Sequence, residues 1–495
     1  MKKLAIGLGI LLAGLIGPLI FLFQEKKIGL WGFPLDDAWI HLTYARSLAG
    51  GLGWSYAGGP PSAGSTSPFW TFLQIPSFGL HLPVIAWSYG LGILFLFLNA
   101  IVLMLWVRKL EPKAWCFVLI FALGEWHFVW ASLSGMETLF FCCWVSLMMY
   151  LFFPLPLTAG GKTVSAVRLL LLGILCGAGI GIRPEALLLM LYICTAVVIQ
   201  LYPTMKRKIW PFFLGGLLPV AGYFLFTIGS TGRPFPNTFY VKTAEYAAWT
   251  SQSIFLRFFQ SWVPLLAGPV VALIPFIAAA IILLVRSRKG PELLPFAWAL
   301  SHLLLYAIRL PATYQHGRYF LPVLPVLIGY GVYGYFALKE KVFHRLMPRI
   351  AIRAAWASAL LLTGIFLYIG STQFSADVAF IQTNMVDMAL WIRENTPADA
   401  VIAAHDIGAL GFWGDRHIVD LGGVTDLEAT PLLSGQTSLD DYLTFKHADF
   451  LMTLEGTYSR DLGACIPQHA AEENPALPIQ RMLLFDWPLG CSNRR

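Results

Sequence analysis

The sequence predicts a polytopic α-helical membrane protein with a C-terminal α/β domain, and three observations predict it. Hydrophobic residues make up 57% of the chain and charged residues only 12%, where a soluble domain carries about 25% charged residues. Apolar runs of roughly 20 residues, each long enough to cross a hydrocarbon core of about 30 Å, recur from Leu4 to Gly370. None follows Gly370, so residues 1–370 read as a membrane domain and residues 371–495 as a separate domain of ordinary composition.

The elements follow in chain order. Leu4 to Phe23 is longer than a signal-peptide core and runs into Gln24-Glu25-Lys26-Lys27 rather than a small-residue cleavage site, so it reads as a retained first span. Further spans are expected at about 84–107, 115–131, 138–156, 167–182, 185–202, 210–229, 263–285, 292–308, 319–337 and 350–370, eleven crossings in all. Alternate loops carry the cations: Lys2-Lys3, Arg108-Lys109, Lys162 with Arg168, Lys206-Arg207-Lys208, Arg286 to Lys289, and Lys339 to Arg349. The positive-inside rule puts those loops in the cytoplasm. The N-terminus is then cytoplasmic and the C-terminal domain extracytoplasmic.

The net charge of +7 belongs mainly to these anchors. No basic stripe with interleaved aromatics accompanies it, which argues against a nucleic-acid partner. Cys116, Cys142, Cys143, Cys176 and Cys194 fall in or beside spans and read as small apolar packers. Cys465 and Cys491 lie in the outer domain, where they either pair or stay as two thiols; their spacing matches no zinc pattern.

On the outer side, the long loop 24–68 contains Asp36-Asp37-Ala38-Trp39-Ile40-His41, continuing to Tyr44-Ala45-Arg46. Helical spacing puts Asp37, His41 and Tyr44 on one face. Trp39, Leu42 and Ala45 fall on another, which can seat the helix on a membrane surface. The two acids fit two roles. They can cap the helix against its dipole, or one can serve as a general base at the membrane–water boundary.

Cations recur in later outer loops: Arg183-Pro184-Glu185, the Gly232–Lys242 segment with Asn237 and Tyr240, and Arg309 followed by His316-Gly317-Arg318-Tyr319. Placing Arg or Lys in apolar surroundings costs about 2.5–3.5 kcal/mol, so each needs a partner or a ligand. A lipid phosphate is one such anion. Arg183 can equally pair with Glu185 or Glu137, whereas ligand contact is favoured for Lys242 and Arg318. Glu137, in a short outer turn, can orient a base or simply open a helix.

In the C-terminal domain, strands are expected at Ala400–His405, Arg416–Asp420 and Ala448–Leu454. The first two end in Gly-rich acidic turns that can bring His405, Asp406, Asp420 and Asp426 together. Such a cluster can bind an acceptor glycan or a cation, or be ordinary turn chemistry. A Gly-rich phosphate loop is lacking, which argues against a soluble nucleotide-sugar site.

An ordered set of motifs runs through nearly the whole chain. They are Asp36-Asp37-Ala38, Tyr44-Ala45-Arg46, Ser67-Pro68-Phe69-Trp70, Gly135-Met136-Glu137-Thr138, Arg183-Pro184-Glu185, Pro236-Asn237-Thr238-Phe239-Tyr240, Arg318-Tyr319, His405-Asp406-Ile407-Gly408 and Asp420-Leu421-Gly422-Gly423. Together they resemble the GT-C-fold integral membrane glycosyltransferases, and especially the branch around the mycobacterial terminal arabinofuranosyltransferase. The resemblance implies a bacterial-type plasma membrane location, a polyprenyl-phosphate sugar donor such as decaprenyl-phosphoryl-arabinose, and an inverting single displacement onto an extracytoplasmic glycan or lipid acceptor. It also implies a catalytic Asp on the first outer loop. On that expectation Asp37 or Asp36 is the base; helical phase favours Asp37, with Asp36 then orienting its neighbour or helping to bind an ion. Arg183, Lys242 and Arg318 meet the donor phosphate. His41, Tyr44, Glu137, Glu185, Asn237, Tyr240, His316, His405 and Asp406 contact substrate. Metal use is left open, because the two adjacent acids can hold a divalent cation or need none. The competing class is a transporter or lipid flippase, which tends to show internal repeats and midplane charge; neither is evident here.

Overall fold

The structure is a computed structural model and describes residues 2–153, 164–245, 249, 251–310, 315–342, 346–458, 462, 465–472 and 480–488. It divides into two compact units. A membrane unit comprises residues 1–22, 90–223 and 249–371; a second unit gathers residues 23–89, 224–248 and 372–495. The first outer loop thus belongs to the same unit as the C-terminal domain, 300 residues or more away in the chain.

The membrane unit is built from apolar helices. Among the described residues, seven helices are long and apolar enough to cross a membrane. They are Val84–Leu110, Ala186–Pro203, Lys206–Thr231, Pro269–Arg286, Gly290–Arg309, Gln315–Lys339 and Arg349–Asn395. An eighth arises if Trp115–Gly124 and Trp126–Leu133, bent by 55° at Glu125, count as one broken span. The other expected crossings fall on Lys2–Ile28 and on two shorter apolar helices, Thr138–Phe152 and Ala166–Gly181. Those two fall short of the roughly 20 residues a straight crossing needs.

Close approach of these helices relies on residues without side chains. A Cβ at Gly173 or Gly177 would run into the backbone of Phe212 or Gly216, and one at Gly334 into the carbonyl of Phe276. Without a hydrophobic drive between helices in lipid, such small-residue contacts supply much of the packing. Cys142, Cys143 and Cys176 are buried as free thiols, as their apolar setting predicts.

The bend at Glu125 interrupts the span expected at 115–131. Glu125 and His127 are both buried, and His127 Nδ1 lies 2.7 Å from Glu125 Oε1. The apolar run around them is what conceals this pair in the sequence.

The second unit contains a five-stranded mixed sheet in the order β2-β1-β3-β5-β4. Its strands are β1 (Val401–Ala404), β2 (His417–Asp420), β3 (Phe450–Leu454), β4 (His469–Ala470) and β5 (Met482–Asp486). The first three lie within the expected segments. β1 runs parallel to β2 and β3, while β5 runs antiparallel to β3 and to β4. Ala403, Leu421, Leu443, Leu451 and Phe485 are among the residues forming its core. A π-helical turn, Ile381–Val386, precedes the helix Asp387–Asn395, and Asn384 Oδ1 accepts the Met482 N–H at 2.9 Å at the start of β5. Cys465 is disulfide-bonded; Cys491 lies outside the described residues.

Candidate active site

The parallel pairing of β1 with β2 decides what meets at their C-terminal ends. Ala404 is in register with Asp420, so His405 and Asp406 emerge beside the turn that follows β2. His405 Nδ1 lies 3.6 Å from Asp406 Oδ1, both side chains about one-third exposed. Asp420 is buried, and its carboxylate accepts the N–H groups of Gly422 at 2.9 Å and Thr425 at 2.5 Å and the Thr425 hydroxyl at 2.9 Å. Burial pushes its carboxyl above the usual carboxylate range, and these bonds, with nearby His405, oppose that rise. Asp426 is not part of this group: it accepts the Glu428 N–H and pairs with Lys446 at 2.5 Å. Among the described residues no group of three or more His, Cys, Asp or Glu is arranged to hold a metal ion.

The first outer loop meets that edge through Asp36, just before one helix, and Arg46 within it. Asp36 precedes the helix Asp37–Ala49 but makes no side-chain bond to its own helix end. Instead its Oδ2 accepts the N–H of Gly408 at 2.6 Å and its Oδ1 that of Ala409 at 2.7 Å. Arg46, three turns along, donates to the carbonyls of Phe412 at 2.7 Å and Gly411 at 2.9 Å. The short helix Gly408–Trp413 is therefore held by a carboxyl group at its N-terminus and a guanidinium at its C-terminus. Tyr56 adds a hydroxyl bond to the Ile407 carbonyl.

This grip corrects the expected membrane seat. Trp39, Leu42 and Ala45 are buried, and Trp39 packs on Phe412 and Trp413 with ring centroids 5.0 and 5.5 Å apart. An apolar helix face looks the same in sequence whether it meets lipid or protein.

Gly408 is irreplaceable for a geometric reason. A Cβ there would collide with the Asp36 carbonyl oxygen and approach its Oδ2 to 2.7 Å. Gly408→Ala is expected to destabilise the second unit by about 1–3 kcal/mol, the usual cost of overpacking. Thermal unfolding of the purified protein in detergent checks this; an unchanged midpoint would contradict the grip.

Burial, Asp406 and Asp37 push the Asp36 carboxyl up to about 7, against the pull of the Ala409 and Gly408 N–H groups. The charged form is thus disfavoured in the fold relative to the unfolded chain. Stability from Asp36 protonation is fully present below the ordinary carboxylate value and is lost as pH rises through about 7. The unfolding midpoint of the wild type, measured relative to Asp36→Asn, is therefore expected to fall between pH 5 and 8. A pH-independent difference would contradict this.

The rest of the helix positions rather than exposes its polar residues. Asp37, at its first turn, is half-buried. His41 is buried, with Nδ1 3.0 Å from Ser65 Oγ and 3.3 Å from Thr71 Oγ1. Tyr44 is fully buried, its hydroxyl 2.5 Å from Ser62 Oγ and accepting the Gly64 N–H at 3.0 Å. Both side chains thus fasten the loop 62–71 to the helix. That loop takes the Asn237 N–H on the Ala63 carbonyl at 3.4 Å. The helix Asn237–Glu245 buries Val241 in contact with Gly423. On the same helix Lys242 is half-buried, and Tyr240 lies under the Arg233 guanidinium at 5.1 Å.

The expected cations of the membrane unit form a second cluster. Arg183 is buried, with Nε 2.9 Å from Glu137 Oε1 and a terminal nitrogen 3.7 Å from Glu185 Oε1. Tyr306 also bonds to Glu185. The Arg183 guanidinium sits 5.3 Å from the Tyr319 ring centroid, and that of Arg318 sits 4.9 Å from the same centroid. Arg318 is buried and donates to the Tyr319 hydroxyl at 2.9 Å. His316 has a positive φ of 54° and packs its ring on Trp126 and Trp130.

Sequence reasoning did not single out Arg46, Tyr56, Gly408 and Ala409 as individual contributors. Tyr44-Ala45-Arg46 and His405-Asp406-Ile407-Gly408 were visible as separate motifs, but nothing local connects segments more than 360 residues apart.

Comparison with curated protein sequences finds no match. A domain of unknown function, DUF8728, matches residues 376–481. Solved structures are more informative. The chain is similar to ArnT from Cupriavidus metallidurans bound to undecaprenyl phosphate, with 14% identity and a TM-score of 0.62 over 96% of this chain and 97% of that one. The chain has the GT-C fold. It is also similar to the apo oligosaccharyltransferase of Archaeoglobus fulgidus, at 12% identity and a TM-score of 0.56, covering 90% of this chain and 69% of that one. The archaeal oligosaccharyltransferase AglB from the same organism, in complex with an inhibitory peptide and a dolichol-phosphate, matches at 12% identity and a TM-score of 0.51 over the same shares. Within this GT-C fold the described span count is seven or eight, and the sheet-bearing domain is C-terminal.

Proposed function

We propose that the protein is a glycosyltransferase that moves a sugar from a polyprenyl-phosphate donor to an extracytoplasmic glycan or lipid acceptor. The acceptor oxygen attacks the anomeric carbon as the bond from that carbon to the phosphate oxygen breaks. The acceptor proton passes to Asp37, and polyprenyl phosphate leaves with the bonding electron pair. Configuration at the anomeric carbon inverts in this single displacement.

One observation carries the assignment of the base. Both oxygens of Asp36 accept backbone N–H groups from Gly408 and Ala409, which supports a positioning role for Asp36, and the helical phase that groups Asp37 with His41 and Tyr44 supports Asp37 as the base. Asp36 then fixes the start of the helix that presents it. Lys242, in the same unit, is the proposed partner of the donor phosphate. In the membrane unit Arg318 is proposed as a phosphate contact, whereas Arg183, matched by Glu137 and Glu185, is proposed as a structural ion.

The donor class is supported by the undecaprenyl phosphate and dolichol-phosphate bound to the two structural relatives. Arabinofuranose as the sugar rests on the motif resemblance alone. The basic clusters at alternate loops support a cytoplasmic N-terminus and an extracytoplasmic C-terminal domain.

The test is transfer by the purified protein from a radiolabelled polyprenyl-phosphate sugar to acceptor, with release of polyprenyl phosphate and an inverted product. Absence of transfer with every such donor, together with acceptor-independent uptake of the lipid-linked sugar into vesicles, would favour a transporter instead.

A further inference from the structure

His302 lies within the apolar helix Gly290–Arg309 of the membrane unit and is fully buried. Its Nε2 is 3.0 Å from the Tyr319 carbonyl oxygen. A carbonyl only accepts, so Nε2–H donates. Nδ1 is buried with no partner among the described residues, a cost that a leucine or phenylalanine at this place would not carry. One turn along the same helix face, Tyr306 packs its ring on that of Tyr319, with centroids 5.4 Å apart. Tyr319 is thus held twice, at its backbone and at its ring. The turn that leads into it is strained. Gln315, His316 and Gly317 take positive φ of 54°, 54° and 66°, a region that residues with side chains rarely enter. A Cβ on Gly317 would run into Pro264. Arg318 follows directly, its N–H on the Gln315 carbonyl at 3.2 Å.

Backbone strain persists only where the surroundings hold it in place, and the His302 bond is such a hold. It fixes the carbonyl of Tyr319, whose hydroxyl accepts from Arg318 at 2.9 Å and whose ring centroid lies 4.9 Å from the Arg318 guanidinium. Taking Arg318 as the proposed phosphate contact, we infer that His302 is a positioning residue for the donor. It fixes the Tyr319 backbone, and the Tyr319 ring and hydroxyl then aim the Arg318 guanidinium at the phosphate of the polyprenyl-phosphate sugar. A guanidinium recognises phosphate through a planar fork, so a small rotation of its platform breaks one of two parallel bonds. His302 touches neither the donor nor the reacting atoms; it acts through Tyr319 and Arg318.

The experiment is equilibrium binding of undecaprenyl phosphate to the full chain in detergent, which reads the phosphate contact without turnover. His302→Asn places its amide nitrogen near the position of Nδ1, short of the Tyr319 carbonyl, whereas the longer His302→Gln can reach the position of Nε2. The asparagine variant is expected to weaken binding about 10-fold, the factor that one lost hydrogen bond contributes. The glutamine variant is expected to bind as wild type does. A purely structural need for a polar group at this position would leave the two amides alike. Arg318→Gln is expected to weaken binding, and adding His302→Asn to it is expected to cost nothing more, because both act through one contact. Tyr319→Phe keeps the carbonyl but removes the hydroxyl that receives Arg318; it is expected to weaken binding too, and it carries the test if His302→Asn does not fold. Equal binding by the two amide variants, a full further loss from His302→Asn in the Arg318→Gln background, or wild-type binding in Tyr319→Phe would overturn the role of His302 while leaving Arg318 as a phosphate contact. No binding by wild type, or wild-type binding in Arg318→Gln, would overturn that contact itself and the role of His302 with it.

Discussion

Asp37→Asn is expected to lower the rate of sugar transfer about 10²- to 10⁴-fold, the contribution of a positioned general base. The amide matches the carboxylate in size but cannot take up the acceptor proton. Because Asp37 is proposed to act on the acceptor hydroxyl, the loss is expected in kcat, with KM for the polyprenyl-phosphate donor little changed. The unfolding midpoint is also expected to stay near that of wild type. Asp36→Asn should behave differently. An amide nitrogen facing the Gly408 or Ala409 N–H replaces an acceptor with a donor, and a buried hydrogen bond left unmade costs about 1–3 kcal/mol. Steady-state kinetics and thermal unfolding of the two variants side by side separate the roles. Wild-type kcat in Asp37→Asn would remove this residue from the mechanism.

Arg183→Met is expected to be the most damaging substitution for stability. Glu137 and Glu185 face the guanidinium, with side chains 1% and 17% exposed. Removing the cation leaves two carboxylates facing each other in an apolar surround, and breaking a buried pair costs about 3–5 kcal/mol. Adding Glu137→Gln to Arg183→Met is expected to restore part of the loss, because one of the uncompensated charges is then gone. Arg183→Lys keeps the charge but loses the planar fork that reaches both carboxylates, so an intermediate effect is expected. The readout is the unfolding midpoint in detergent. A wild-type midpoint in Arg183→Met would mean that the pairing contributes nothing to stability.

These expectations also mark how far the sequence reaches. The membrane character was legible because burial in lipid demands long apolar runs, and strands β1, β2 and β3 because each is a short apolar segment, the first two ending in Gly-rich turns. Asp36-Asp37 stood out as acids in an otherwise apolar chain, but their division of labour did not. Helical phase groups Asp37 with His41 and Tyr44, yet cannot say that the last two are buried against Ser62, Ser65 and Thr71. Arg183 had two candidate partners in the sequence, and the structure uses both. Glu125 and His127 were overlooked for the opposite reason. A span was expected to continue through them, although two ionisable residues in an apolar run are costly enough to mark a break.

The clasp formed by Asp36 and Arg46 on the helix Gly408–Trp413 bears on how this protein can be dissected or recombined. Cutting after Ser371 would strip the partner from Trp39, Leu42 and Ala45 and turn a packed face into a sticky one. A terminal domain grafted from a distant relative would need a helix of matching length, with a glycine where Asp36 closes and two carbonyls where Arg46 does. The first loop and the last domain are therefore expected to be inherited together, as one module written in two distant stretches of the chain.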